Sequence, residues 1–114
     1  MKTIKIAGGE LPVSEIALGC MRIVGLSGKE AEVLVQTALD EGINFFDHAD
    51  IYGAGKSEEV FAKAAHMSPA VREKMILQTK CGICQSDGNN LCFDFSKKHI
   101  LESVDGSLKR LHTD

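Results

Sequence analysis

Short apolar runs alternate with amphipathic stretches along this chain, and that alternation limits its fold more than any single motif. Residues 16–19, 43–46 and 75–79 are brief apolar or β-favouring runs. A stretch with helical spacing follows each. Ser27 and Glu30 have the spacing of a capping box, and Ala31, Leu34, Val35 and Ala38 then fall on one face. Gly42 stops that helix. Ser57 reads as the cap of a second helix, with Glu58 and Glu59 in its first turn and an apolar stripe of Val60, Phe61, Ala64 and Ala65. Ser68-Pro69 predicts a short helical turn. Ser96 reads as the cap of the last helix, whose apolar face is Ile100, Leu101, Val104, Leu108 and Leu111. Its charges, including Lys97, Lys98, Glu102, Asp105, Lys109 and Arg110, are expected on the solvent side. Strands joined by helices imply right-handed crossovers and a parallel sheet, so the fold class is α/β. Ahead of these units, residues 3–6 and 11–13 predict a hairpin around Ala7-Gly8-Gly9-Glu10, with Pro12 at an edge.

Three parallel strands would leave two open sheet edges and poorly covered helices. The expectation is therefore of a truncated chain, poorly folded or aggregated alone. Other classes recede on composition. With 114 residues, 44% hydrophobic and 25% charged, the chain has the make-up of a globular domain. A net charge of -3 without a basic patch argues against a nucleic-acid partner. No apolar run is long enough to cross a bilayer, and the N-terminus alternates polar and apolar residues unlike a signal peptide. Four cysteines without an export signal suggest reduced thiols and a cytoplasmic location.

The chemistry gathers where two of the strands end. The run 43–46 meets Asp47, His48 and Asp50, and Tyr52 lies five residues past Asp47. Lys80 closes the run 75–79. All strand C-termini of a parallel sheet point one way, so neighbouring strands would bring Asp47 and Lys80 to one rim, with Tyr52 in the loop above. A phenol, ordinarily with a pKa near ~10, is a poor acid at neutral pH. A nearby ammonium favours its phenolate, and a carboxylate holds that ammonium charged and in place. Such a trio can protonate an oxyanion as it forms, as carbonyl reduction by hydride transfer requires. The competing reading is a structural ion pair with Tyr52 packed on the surface. By strand alternation His48 points away from the face of Asp47 and is expected to be a satisfied buried or interfacial histidine rather than a proton shuttle.

In these residues the chain resembles the N-terminal part of the aldo-keto reductase family. The stretch 42–53 is similar to that family's first signature, which maps its aspartate and tyrosine onto Asp47 and Tyr52. The segment 76–82 maps the family's lysine onto Lys80. The opening hairpin, residues 18–22 and residues 107–111 extend the likeness over nearly all of the chain. The resemblance implies a (β/α)8 TIM barrel of which residues 1–114 are the N-terminal portion, about three units preceded by a β-hairpin, expected to be inactive alone. It implies NADPH as cofactor, a small-molecule carbonyl substrate, catalytic roles for Asp47, Tyr52 and Lys80, and a nicotinamide end lined by Gly19, Cys20, Met21, Arg22 and Asp47. The family's catalytic histidine at the fourth barrel strand has no counterpart, and His112 is not assigned that role. A non-catalytic remnant and a small thiol or zinc module remain as alternatives. The second rests on Cys81-Gly82-Ile83-Cys84 with Cys92 and His99, whose spacing fits no strong zinc template; no metal site is assigned. Cys20, close to the expected cofactor site, is a candidate for oxidation.

Overall fold

The computed structural model describes residues 1–6, 8–85 and 91–114. Strand β1 (Thr3–Lys5) pairs antiparallel with β2 (Pro12–Ser14), giving the expected hairpin. Ala7 of its turn, and residues 86–90 of the later polar loop, lie outside the described residues. Strands β3 (Ala17–Gly19), β4 (Phe45–Asp47) and β5 (Ile76–Gln78) form a parallel sheet in the order β3-β4-β5. Helix α1 (Gly28–Asp40) connects the first two. Helix α2 (Lys56–Ala64) and the short α3 (Pro69–Arg72) connect the next two, and α4 (Lys97–Leu111) comes last.

Strand register sorts the side chains. Leu18, Phe46 and Leu77 share one row of the sheet and turn toward the helices. Phe46 is fully buried against Phe61 of α2, with ring centroids 5.0 Å apart. Each such phenylalanine contributes about 1.5–3 kcal/mol of burial free energy. Ala31, Val35 and Ala38 of α1 and Met75 complete this core. The opposite face carries Ala17, Phe45 and Ile76, then Gly19, Asp47 and Gln78, and no described helix covers it. The hairpin is tied to the N-terminal end of β4. Asn44 Oδ1 accepts from Ser14 N at 2.8 Å, and Asn44 N donates to Ser14 Oγ at 3.1 Å. Asp47 and Lys80 lie at the other end of the sheet.

Local signals in the sequence set several boundaries. The capping box at α1 is present, with Ser27 N donating to Glu30 Oε2 at 2.8 Å and Glu30 N to Ser27 Oγ at 3.3 Å. Gly42, at φ +81°, ends that helix in the left-handed region. Ser68 caps α3 and Ser96 caps α4 as expected.

Three expectations are corrected. Ser57 is not a cap: α2 begins at Lys56 behind Gly55, whose φ of +89° starts the helix earlier. Ser57 is instead buried inside α2, and its hydroxyl donates to the Cys20 carbonyl at 2.6 Å. Helix α4 is rolled from its expected orientation. Ile100, Leu101 and Val104 are exposed, while Ser107 and Leu111 are buried. Arg110 turns inward to Glu58 of α2 rather than to solvent, and Ser107, whose Oγ accepts from Arg110 Nη2 at 3.2 Å, is buried on the same side. Finally, two strands flank the polar loop read after Lys80. Strands β6 (Ile83–Gln85) and β7 (Leu91–Phe93) form an antiparallel hairpin.

Candidate active site

The parallel ladder carries on past its strands and builds the rim. His48 N donates to Gln78 O at 2.8 Å, and Asp50 N to Lys80 O at 3.0 Å. On the other side Cys20 N donates to Asp47 O at 2.9 Å. These bonds fix residues 20, 47–50 and 78–80 side by side. Asp47 Oδ1 accepts from Lys80 Nζ at 2.7 Å and from Gln78 Nε2 at 2.6 Å. Lys80 Nζ also donates to the His48 carbonyl at 2.7 Å. It stands 5.2 Å from the centroid of the Tyr52 ring. Asp47, Tyr52 and Lys80 are thus together on one rim.

The charges reinforce one another. Partial burial by itself would raise the Asp47 pKa, but the hydrogen bonds from Lys80 and Gln78 outweigh it and hold the carboxyl below its ordinary value. Partial burial would lower the Lys80 pKa, and the bond and charge of Asp47, with Tyr52, carry it above the ordinary value. Lys80 is therefore a fixed ammonium at neutral pH. Ala49, Asp50, Ile51, Tyr52, Lys80, Cys81 and Ile83 line a hollow of about 250 Å³ beside it.

The Tyr52 loop is held by strained backbone. Gly53, Ala54 and Gly55 all have left-handed φ, at +59°, +54° and +89°. A non-glycine residue such as Ala54 adopts that region only where its surroundings impose it. A Cβ at Gly53 would come within 2.9 Å of Val24 Cγ1, and one at Gly55 within 2.9 Å of Arg110 Cδ. This is where the chain bends from the rim into α2.

Gly19, Cys20, Met21 and Arg22 follow β3 along the same rim. Gly19 is in register with Asp47, and a Cβ built on it would meet nothing within 4 Å. Met21 and Arg22 are exposed. Cys20 is 1% exposed, and burial, followed by the charge of Asp47, pushes its thiol up to about 12 against the opposing charge of Lys80. A buried thiol so far from ionisation is a poor nucleophile, so Cys20 does not suit the oxidation-sensitive role.

His48 turns to the helix side as alternation requires. It is fully buried, edge-on to Phe61 at 4.6 Å. It is not satisfied, however: neither ring nitrogen has a hydrogen-bond partner among the described residues. Burial lowers its pKa to about 4, against the charges of Glu58 and Asp47. Nor does the C-x-x-C spacing pick out the paired thiols. Cys84 lies opposite Cys92 across the β6-β7 hairpin. Among the described residues no three His, Cys, Asp or Glu side chains are grouped to hold a metal.

One element of the site escaped sequence reasoning. Glu58 is fully buried and binds both Arg110 Nε, at 2.7 Å, and Thr79 Oγ1, at 2.7 Å. It ties α2 to α4 and to the residue before Lys80. Its position in a first helical turn suggested only a dipole contact. An arginine fifty-two residues later gives no local signal of the pairing.

Comparison with known proteins agrees with this geometry. The model of the aldo/keto reductase family matches residues 15–114. An uncharacterized oxidoreductase of Bacillus subtilis is 38% identical over 121 aligned positions, covering all of this chain and 40% of the relative. The 6-dehydroglucose reductase of Novosphingobium aromaticivorans is 40% identical over 91% of this chain and 36% of its own length. Among solved structures, the holo form of an aldo-keto reductase from Bacillus halodurans superposes with a TM-score of 0.86. That match is at 36% identity over the whole of this chain and 37% of that one. The chain thus spans about two-fifths of the relatives it matches.

Proposed function

The chain belongs to the aldo/keto reductase family, and from that premise we propose that it supplies the proton-donating part of a reductase converting aldehydes or ketones to alcohols with NADPH. The residues 1–114 are then the first portion of the barrel domain, its opening hairpin and about three βα units. The observation that carries the reading is the 2.7 Å contact of Lys80 Nζ with Asp47, made while the same ammonium lies 5.2 Å from the Tyr52 ring. A merely structural ion pair has no need of a phenol on its free side.

A nicotinamide cofactor, when bound, supplies hydride to the carbonyl carbon. The cofactor's ring would lie in the open space in front of Gly19 beside Asp47, with the exposed Met21 and Arg22 and the backbone of Cys20 next to it. Tyr52 gives its phenolic proton to the carbonyl oxygen as negative charge develops there. Lys80 stabilises the phenolate left behind. Asp47 and the His48 carbonyl keep the ammonium from swinging away. The substrate is a small carbonyl compound, and the hollow between Tyr52, Lys80 and Ile83 is the part of its pocket that these residues furnish.

The test is a completed enzyme, in which this chain replaces the matching part of the Bacillus halodurans aldo-keto reductase. Consumption of NADPH with an aromatic aldehyde should be lost on Lys80→Met and on Tyr52→Phe. Turnover equal to that of the unsubstituted form would remove the two residues from these roles.

A further inference from the structure

The hairpin beyond Lys80 presents two sulfurs to each other. Cys84 and Cys92 are Cα partners in the antiparallel register of β6 and β7. Residues directly opposite in such a pair have Cα atoms about 4.5 or about 5.5 Å apart. Both spacings fall inside the range a disulfide accepts. Each cysteine is half-buried, and both are free thiols. The hairpin is anchored at its base. Asp94 N donates to Gly82 O at 3.0 Å, and the Phe95 ring fills the space above Gly82, where a Cβ would collide with it. A base lies within reach as well. His99 Nε2 of α4 is 3.8 Å from Cys84 Sγ and 3.2 Å from Ser103 Oγ.

We propose that Cys84 and Cys92 form a reversible dithiol–disulfide site, a modification site separate from the reductase chemistry, whose oxidant is a low-molecular-weight disulfide such as glutathione disulfide. One protein thiolate attacks a sulfur of the small disulfide and expels one small thiolate. The second protein sulfur, having lost its proton, then attacks the mixed disulfide and expels the other. The protein gains one S–S bond and loses two electrons and two protons. The small disulfide is reduced to two thiols. Partial burial and the neighbouring Cys92 hold the Cys84 thiol above its ordinary pKa. His99 is placed to accept the Cys84 proton as the second step proceeds. Because Ile83 beside Cys84 lines the hollow next to Tyr52 and Lys80, closing the disulfide stiffens one wall of that hollow.

The experiment is to equilibrate the completed enzyme described above in a buffer of reduced and oxidised glutathione, block free thiols in acid, and map the disulfide-linked peptides. The same is done in concentrated urea. In native buffer the Cys84–Cys92 link should exceed any other pairing by about tenfold, because this pair meets the geometric range without backbone movement. In urea that excess should vanish. Cys84→Ser should leave Cys92 carrying a single glutathione. Absence of the Cys84–Cys92 link in native buffer, or the same distribution of links with and without urea, would overturn the proposal.

Discussion

Asp47 and His48 are neighbours on one strand, and their side chains meet opposite conditions. Asp47 faces the open side of the sheet, where Lys80 and Gln78 stabilise its charge. His48 faces the helices, where no described residue pairs with a proton on its ring. Its pKa falls from the ordinary 6.5 to about 4. Between those values the unfolded chain binds a proton that the folded chain does not. The stability from a neutral His48 is therefore complete above pH 6.5 and is lost as pH falls toward 4. The loss is roughly 3 kcal/mol by linkage. Asp47, also with a lowered folded pKa, adds a loss at more acid pH, below its ordinary 3.8. Lys80 has the opposite sign: its contribution is present below the ordinary 10.5 and lost as pH rises through its raised folded value. Replacing His48 with phenylalanine removes an unpaired polar ring from an aromatic site at similar volume. Urea unfolding of the completed enzyme should show His48→Phe at least as stable at pH 7, with the decline between pH 6.5 and 4 much reduced. An unchanged acid-side decline would place its origin elsewhere.

At the scale of elements, the helix ends legible in the sequence were those with a local cause. Ser27, Ser68 and Ser96 cap the helices that follow them because the bonds they make span only three residues. The parallel order of β3, β4 and β5 follows from the alternation of apolar runs and helical spacing. What could not be read depends on residues far apart in the chain. Ser57 looks like a cap until the Cys20 carbonyl claims its hydroxyl. Arg110 looks solvated until Glu58 is found buried beneath it. The site followed the same rule: Asp47, Tyr52 and Lys80 were legible from strand ends, while the Glu58 link to Thr79 was not. Two substitutions test how the elements are joined. Glu58→Ala takes the buried carboxylate away from Arg110 and Thr79 and should cost about 3–5 kcal/mol. Thr79→Val removes one bond to the same carboxylate and should cost about 1–3 kcal/mol. Equal and small costs from both, in denaturant titrations of the completed enzyme, would show that the Glu58 pair does not hold α2 and α4 together. At the bend into α2, Gly55→Ala meets a left-handed φ and the Arg110 side chain at once. It should destabilise by more than about 1 kcal/mol.

At the scale of the molecule, one sheet face is well covered and the other is not. Phe46, Phe61 and the small residues of α1 and α2 fill the helix side. On the outer surfaces Ile4, Leu11, Ile16, Leu91, Phe93 and Phe95 are exposed, as are Ile100, Leu101 and Val104 of α4. Among the described residues no strand pairs with the outer edge of β3 or of β5. Unpaired edges and apolar surface of this kind drive association. Light scattering of the chain by itself should report oligomers, with binding of a hydrophobic dye; a dye-silent monomer with a sharp thermal transition would contradict this. The reductase reading is tested most directly by Tyr52→Phe in the completed enzyme, with NADPH binding followed by fluorescence beside turnover of an aromatic aldehyde. Turnover should fall by about 10²–10⁴, the contribution of a positioned proton donor, while NADPH affinity stays within about twofold, since the lost hydroxyl acts on the substrate oxygen. Undiminished turnover with the phenylalanine in place would contradict the reductase reading.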